Sequence, residues 1–216
     1  MIKKIRLGDS SGFFGLFKKG SGEIGFPGET VTGVELRCVS LFYGDREVLR
    51  GLDLCFFPGR LYCLLGPNGC GKTTLLNSIM GLVRYKGNIT LNGHEVGRIP
   101  RRKLARMVAC VPQVPEISFP YTSLEVVLLG RAPYVGFSPS QEDRERALSC
   151  LEYVGIGTLA HRPFTELSGG ERQLVLIARA ICQGPKVILF DGPTSHLDFS
   201  NTHVVMEIVR RMTMAD

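Results

Sequence analysis

One run of eight residues constrains this chain more than anything else: Gly66-Pro67-Asn68-Gly69-Cys70-Gly71-Lys72-Thr73. It follows the pattern G-x-x-x-x-G-K-[ST]. The β-like run Arg60–Leu65 precedes it, and a helical pattern from Lys72 to Leu82 follows. That context matters, because glycines between a strand and a helix let successive backbone N–H groups turn inward around phosphate oxygens. The start of the helix adds its partial positive charge. Lys72 is placed to reach the β and γ phosphates, and the Thr73 hydroxyl, with Thr74 beside it, is placed near Mg²⁺. The expected ligand is therefore a nucleotide, with ATP and Mg²⁺ as cofactors.

Around this loop the texture alternates. Val34–Leu41 and Leu52–Phe57 are expected strands separated by a turn at Gly44-Asp45-Arg46. A strand near Asn88–Leu91, the Asn92-Gly93 turn, a basic helix near Pro100–Arg106 and a short apolar strand at Met107–Val111 come next. Residues 121–182 are expected to be mostly helical, with Ser140 as an N-cap followed by Glu142 and Asp143 at the positive end of the helix dipole. Val187–Phe190 is a further strand. Asn201–Arg211 is a final helix with Val204, Val205, Ile208 and Val209 expected on one side. Strands alternating with helices imply an α/β fold with a parallel-sheet core. Here it carries an N-terminal antiparallel β subdomain and an inserted helical subdomain at about residues 120–166. Residues 1–33 hold eight glycines and no period, so a flexible extension is expected there, with the ATP-binding domain at 34–216.

Composition excludes several alternatives. The chain has 216 residues, 44% hydrophobic and 21% charged, which rules out a mostly disordered chain or a disulfide miniprotein. Its net charge of +6 suits an ordinary surface as well as anionic ligands. The densest basic run, Arg98, Arg101, Arg102, Lys103 and Arg106, lacks interleaved aromatics, so a solvated helix face is expected and no nucleic-acid partner. Seven cysteines at positions 38, 55, 63, 70, 110, 150 and 182 include no Cys-x-x-Cys pair. They are expected to be small buried hydrophobes in a reducing compartment rather than zinc ligands. No apolar run approaches the ~18 residues that a membrane span requires. The basic start lacks a signal-peptide core behind it, so a cytosolic chain is expected.

Two further motifs complete the pattern. Asp191 closes the apolar run Val187–Phe190, where an acid is costly unless it faces a cation or a donor. In P-loop proteins an Asp there supports the bound Mg²⁺. Leu167-Ser168-Gly169-Gly170-Glu171-Arg172-Gln173 opens the apolar helix Leu174–Ile181. Taken alone, this is a plain Ser N-cap with a Gly turn; taken with the phosphate loop, two glycines and a Ser hydroxyl at a helix start make a second anion cradle, which suggests the nucleotide of a partner chain.

The motif Leu-Ser-Gly-Gly-Glu resembles the signature of ATP-binding-cassette (ABC) ATPases, and the motif order from residue 34 to 216 is similar to that family. The resemblance implies several assignments. Tyr43 stacks on adenine. Gln113, in Val111-Pro112-Gln113, is the Q-loop residue that touches Mg²⁺ and couples to the membrane subunit. Ser195-His196-Leu197-Asp198 is the D-loop. Lys72, Asp191 and Gln113 serve catalysis; Thr73, Gln113 and Asp191 hold the metal; Gly66–Thr74 wraps the phosphates. Ser168, Gly169, Gly170, Glu171 and Asp198 meet a partner chain's ATP. Stretches such as Glu125–Arg131, Arg162–Leu167 and Pro193–Phe199 look like the importers of iron–siderophore complexes, haem and cobalamin. The implied partners are a second ATP-binding subunit, forming a homodimer, membrane permease subunits and, indirectly, a solute-binding protein. The implied location is cytoplasmic, at the inner face of the membrane.

Two departures stand against the family pattern. Where an active site places the glutamate that polarises the attacking water, this chain has Gly192, and loss of a general base costs about 10²–10⁴ in rate. The family's switch histidine follows a further strand, and the sequence stops at Asp216 before one; His203 is expected on a helix surface, and His196 belongs to the D-loop. Three readings remain. One is the energy-coupling subunit of an importer with impaired hydrolysis, the two losses suggesting a decayed or truncated copy, or an incomplete gene model, that folds marginally. Another is a degenerate, non-hydrolysing ATP-binding or regulatory protein. The last, a soluble ABC ATPase of DNA repair or translation, needs coiled coils or a second cassette that the sequence does not contain.

Overall fold

The computed structural model describes residues 2–6, 13–18, 33–113, 119–192 and 199–214, apart from the side chains of 2–18, Tyr43, 199–202 and 213–214. Two units divide between Pro100 and Arg101. Among the described residues no helix is long and apolar enough to cross a membrane.

The first unit is built on β3 (Val34–Tyr43) and β4 (Arg46–Phe56), joined by the turn at Gly44 and Asp45. β6 (Tyr85–Leu91) and the two-residue β7 (His94–Glu95) extend them into an antiparallel sheet of order β4-β3-β6-β7. Strict alternation would put Leu36 and Val39 on opposite faces, yet both are fully buried. A bulge reconciles them. The register shifts between Leu36 and Val39, Cys38 adopts φ 48°, and its N–H donates to Asp53 Oδ1 at 2.8 Å. β4 is one strand of 11 residues, longer than the expected Leu52–Phe57, because the stretch Arg46–Gly51 also pairs with β3.

The segment expected to be an extension contains two strands, β1 (Ile2–Arg6) and β2 (Phe13–Lys18). They pair antiparallel with each other, and β2 pairs antiparallel with β5 (Tyr62–Leu65) in the register Gly15↔Leu65 to Lys18↔Tyr62. The glycines at 8, 12, 20 and beyond obscured the Phe-Phe-Gly-Leu-Phe run, which is strand-like once β5 offers it an edge. α1 (Lys72–Ile79) follows the loop and stops earlier than the expected Leu82, because Gly81 takes φ 65° just after its end.

The second unit centres on α5 (Gly169–Cys182), in which Val175, Leu176, Ile177 and Ala178 are all fully buried. A helix apolar on every side belongs inside. Around it lie α3 (Ser123–Leu128), α4 (Gln141–Tyr153) and α6 (Phe199–Met214). α2 (Arg101–Met107) leads into β8 (Val108–Val111), which pairs parallel with β9 (Val187–Phe190). This pair supplies the parallel core. Capping boxes start α3 (Thr122 with Glu125), α4 (Ser140 with Asp143) and α5 (Ser168 with Glu171). On α6, Val205, Ile208 and Val209 are buried as expected, but Val204 is 42% exposed and His203 lies on the surface. At 100° per residue, 204 falls outside the stripe that 205, 208 and 209 define.

The basic run is more than a solvated face. Arg102 Nε donates to the Pro133 carbonyl at 2.9 Å and its NH2 to the Val135 carbonyl at 3.0 Å, while Arg106 Nε donates to Pro133 at 3.0 Å. The Arg106 and Arg131 guanidiniums lie over the Tyr134 ring, 4.7 and 4.0 Å from its centroid. All seven cysteines are free thiols; Cys55, Cys70, Cys150 and Cys182 are buried, but Cys38 and Cys63 are exposed. Cys38 sits in the bulge, and alternation along β5 turns Cys63 outward.

Candidate nucleotide site

In the first unit the loop is set by backbone conformation. Gly69 and Gly71 take φ 76° and 95°, the left-handed region that a side chain disfavours. At Gly71, the residue before α1, a Cβ would also come within 2.8 Å of Val48 Cγ1 and 3.1 Å of Leu49 Cγ. The tight approach of the loop to β4 therefore requires glycine twice over. The Cys70 N–H donates to the Pro67 carbonyl at 3.3 Å, and Leu75 N–H to Gly71 at 2.9 Å. Pro67, Asn68 and Gly69 are exposed, and so is Thr73.

Lys72 folds back over this loop. Its Nζ donates to the Gly66 carbonyl at 2.7 Å and to the Pro67 carbonyl at 2.9 Å, and lies 3.7 Å from Cys70 Sγ. A cation held by two loop carbonyls beside a helix start fits an anionic ligand: the ammonium and the N–H groups converge where phosphate oxygens would sit. No acidic side chain occupies the first turn of α1 to oppose it. Of Tyr43 the structure describes the backbone only, at the end of β3.

In the second unit, Gln113 and Asp191 come to the same end of the β8–β9 pair. Val111 pairs with Phe190, the Asp191 N–H donates to the Val111 carbonyl at 3.0 Å, and Gln113 follows Pro112 as an exposed residue. Cys110, inside this pair, has its thiol pushed up to about 11 by burial, with the Asp191 charge adding to the effect. Gly192 takes φ 60°. Asp198 and the rest of Ser195–Asp198 lie outside the described residues.

Ser168 caps α5 as expected, with its Oγ accepting from the Glu171 N–H at 3.3 Å. Its own N–H donates to Glu171 Oε2 at 2.8 Å, so this amide is already satisfied. Ser168 and Gly169 are exposed, with nothing within 4 Å of a Cβ built on Gly169, while Gly170 is buried. Two neighbours escaped sequence reasoning. Arg172 clamps the turn before the cap, with Nε donating to Phe164 at 3.2 Å and NH2 to Thr165. Gln173 is 5% exposed, and its Nε2 has no partner among the described residues. The spacing of an Arg four residues after an N-cap was the available signal for the clamp; nothing local marks the orphaned amide.

Comparison with known proteins places these features in one family. The family model described as ABC transporter matches residues 49–195. The iron(3+)-hydroxamate import ATP-binding protein FhuC of Bacillus subtilis (strain 168) is 36% identical over 173 residues, covering 79% of this chain and 64% of its own. The hemin import ATP-binding protein HmuV of Burkholderia lata is 41% identical over 184 residues, covering 76% of this chain and 67% of its own. The chain thus spans about two thirds of the length of these curated relatives. A solved ABC transporter in an inward-facing conformation superposes with a TM-score of 0.72 at 32% identity, over 84% of this chain and 69% of the other. With the glycine loop, the capped Ser-Gly-Gly helix and the strand-end Asp191 in family order, this chain belongs to the ABC transporter family of ATP-binding proteins.

Proposed function

We propose that this chain is the ATP-binding, energy-coupling subunit of an importer for an iron–siderophore, haem or cobalamin type of solute, and that it binds Mg-ATP while hydrolysing it slowly. The observation that carries binding is the Lys72 ammonium held at the mouth of a loop that only glycine permits. The observation behind slow hydrolysis is Gly192, which has no side chain at the position that follows the strand-end Asp191.

Bound Mg-ATP supplies the phosphoanhydride whose cleavage drives transport. Lys72 exchanges its two carbonyl partners for phosphate oxygens, and Gly66–Thr74 presents N–H groups. Tyr43 takes the adenine. Thr73, Gln113 and Asp191 are assigned to Mg²⁺, and Ser168, Gly169, Gly170, Glu171 and Asp198 to the nucleotide of a second copy. The ATP-binding domain spans 34–216, with its helical subdomain at about 120–166. Permease subunits at the inner face of the membrane, and through them a solute-binding protein, are the partners that this reading requires. The alternative of a regulatory ATP-binding protein is favoured by Gly192 as well.

The test compares the purified chain with Lys72→Ala and Gly192→Glu. Binding of a fluorescent ATP analogue persists in the parent and falls in Lys72→Ala. Phosphate release is about 10²–10⁴ below that of Gly192→Glu if the general base is what is lacking. At φ 60° the new glutamate costs about 1–2 kcal/mol of stability, which temperature control accommodates. Equal phosphate release by the parent and Gly192→Glu would refute slow hydrolysis through Gly192, and loss of the analogue from the parent would refute the nucleotide site.

A further inference from the structure

Four arginines of the second unit gather around one tyrosine. Arg102 and Arg106 stand one turn apart on α2, and both are exposed. Their Nε atoms donate to the same acceptor, the Pro133 carbonyl, at 2.9 and 3.0 Å. One oxygen thus holds both guanidiniums, and their Nε atoms lie no farther apart than those two bonds allow. The Arg106 guanidinium carbon is 4.7 Å from the Tyr134 ring centroid, and that of Arg131 is 4.0 Å from the same point. At the phenol end of the ring, the Tyr134 hydroxyl lies 4.0 Å and Arg146 NH2 3.1 Å from where a Cβ on Gly184 would be.

Carboxylates do not balance this gathering. Among the described residues the only acid bonded to any of the four is Asp143, and Arg131 takes it through Nε at 2.8 Å, both side chains being largely buried. Arg102, Arg106 and Arg146 make no ion pair among the described residues. Arg102 uses Nε and NH2 on the carbonyls of the 133–135 turn, and Arg106 uses Nε alone. NH1 of Arg102 and both terminal nitrogens of Arg106 have no hydrogen-bond partner among the described residues. The carbonyl bonds hold two forks in place in advance, and like charges this close repel each other unless an anion meets them. A carboxylate offers two oxygens, which suit one fork. A tetrahedral phosphate offers oxygens in several directions and carries up to two charges, so it can meet two forks at once.

We propose that Arg102 and Arg106, with Arg146 and the Tyr134 hydroxyl beside them, form a phosphate site built from residues other than the Lys72 loop. Its ligand is a doubly charged phosphate, either inorganic phosphate or the terminal phosphate of a lipid headgroup. The terminal nitrogens of Arg106 and NH1 of Arg102 donate to the phosphate oxygens, while both Nε atoms stay on the Pro133 carbonyl. Arg131 keeps Asp143 as its partner and supports the ring from its own side of the ion pair. The bound anion ties α2 to the 133–135 turn, and it stabilises the fold in proportion to its occupancy. None of the residues assigned to ATP takes part, so this site stands or falls apart from the nucleotide site.

The test treats the full chain with phenylglyoxal, which modifies accessible arginines, and reads each residue by peptide mass spectrometry. Inorganic phosphate is compared with sodium chloride at equal ionic strength, which removes general screening. Phosphate should slow modification of Arg102 and Arg106 about tenfold and leave the exposed Arg50 and Arg144 unchanged. In a second arm, phosphatidylcholine vesicles containing phosphatidic acid, a phosphate monoester, are compared with vesicles containing phosphatidylglycerol, a diester. Protection by inorganic phosphate supports the site with the free anion as a ligand, and protection by phosphatidic acid alone supports it with the lipid headgroup. No protection in either arm would overturn the proposal. Equal protection by phosphatidylglycerol, or equal slowing of Arg50 and Arg144, would also overturn it, because both report a general attraction between cations and anions. Protection should persist in Lys72→Ala; its loss there would put the anion at the glycine loop instead. Arg106→Lys keeps the charge but not the fork, so it should weaken the protection of Arg102, and undiminished protection would refute the pairing. The footprint is read on the unaltered chain, so it decides the matter even if a variant folds poorly.

Discussion

Replacing Gly71 by alanine tests the argument for the phosphate loop at its most demanding point. The substitution acts in two ways. It forces a side chain into φ 95°, which costs about 1–2 kcal/mol. It also drives a Cβ to 2.8 Å from Val48 Cγ1 and 3.1 Å from Leu49 Cγ. Val48 is β-branched and stiff about χ1, and Leu49 is fully buried, so neither gives way easily. Overpacking of that kind adds about 1–3 kcal/mol. The expected loss is therefore about 2–5 kcal/mol, a large part of the ~5–15 kcal/mol that holds a domain together. Gly69 provides the control. Its φ is 76°, but nothing lies within 4 Å of its Cβ position, so Gly69→Ala should cost only the backbone part, about 1–2 kcal/mol. Far-ultraviolet circular dichroism in urea is the assay, because the chain has no tryptophan to report by fluorescence. Adding Val48→Ala to Gly71→Ala should recover part of the loss, with a coupling of about 0.5 kcal/mol or more. Equal losses for Gly71→Ala and Gly69→Ala, or strict additivity with Val48→Ala, would refute the packing argument.

Three further outcomes follow from the second unit. Ser168→Ala should cost about 1 kcal/mol as a lost N-cap. The backbone N–H of Ser168, and then its hydroxyl, hold the Glu171 carboxyl below the usual carboxylate range, so the contribution is present above the ordinary value and is lost as pH falls through the lowered one. An NMR titration should show the Glu171 midpoint moving upward in Ser168→Ala. Gln173→Leu should stabilise by about 1 kcal/mol or more, because it removes a buried amide donor without a described partner, and a lower urea midpoint would contradict this. Cys110, with its thiol at about 11, should resist iodoacetamide at pH 8.5 while Cys38 and Cys63 react; its contribution to stability is present below the ordinary thiol value and is lost as pH rises through about 11.

Much of the local architecture was legible because chemistry and position coincide in sequence. The glycine loop, the Ser140 and Ser168 caps and the apolar strand before Asp191 each join a residue type to a backbone need a few positions away. What failed to show was non-local. β2 is a strand because β5 offers it an edge, and nothing within Phe13–Lys18 announces that partner. Leu36 and Val39 share a buried face only through a bulge held by Asp53, across the turn. The clamp of Arg102 and Arg106 on Pro133 and Val135 joins segments whose proximity depends on packing alone. At the site itself, the residue types were legible, but the commitment of Lys72 to two carbonyls and of the Ser168 amide to Glu171 was not, since these bonds depend on rotamers.

The pairing of β2 with β5 also has a bearing on the order of folding. β3 and β4 meet across a two-residue turn, so their hairpin closes quickly, on the order of microseconds. β2 must instead find β5 with that whole hairpin lying between them in the chain, and the entropy of closing such a loop is lost before any contact compensates. The strand that launches the phosphate loop therefore gains this neighbour after the β3–β4 sheet already exists. Amide protons of Cys63 and Leu64 should accordingly become protected later in refolding than those of Leu36 and Leu54, and nucleotide capture should report the final assembly of the first unit rather than its beginning.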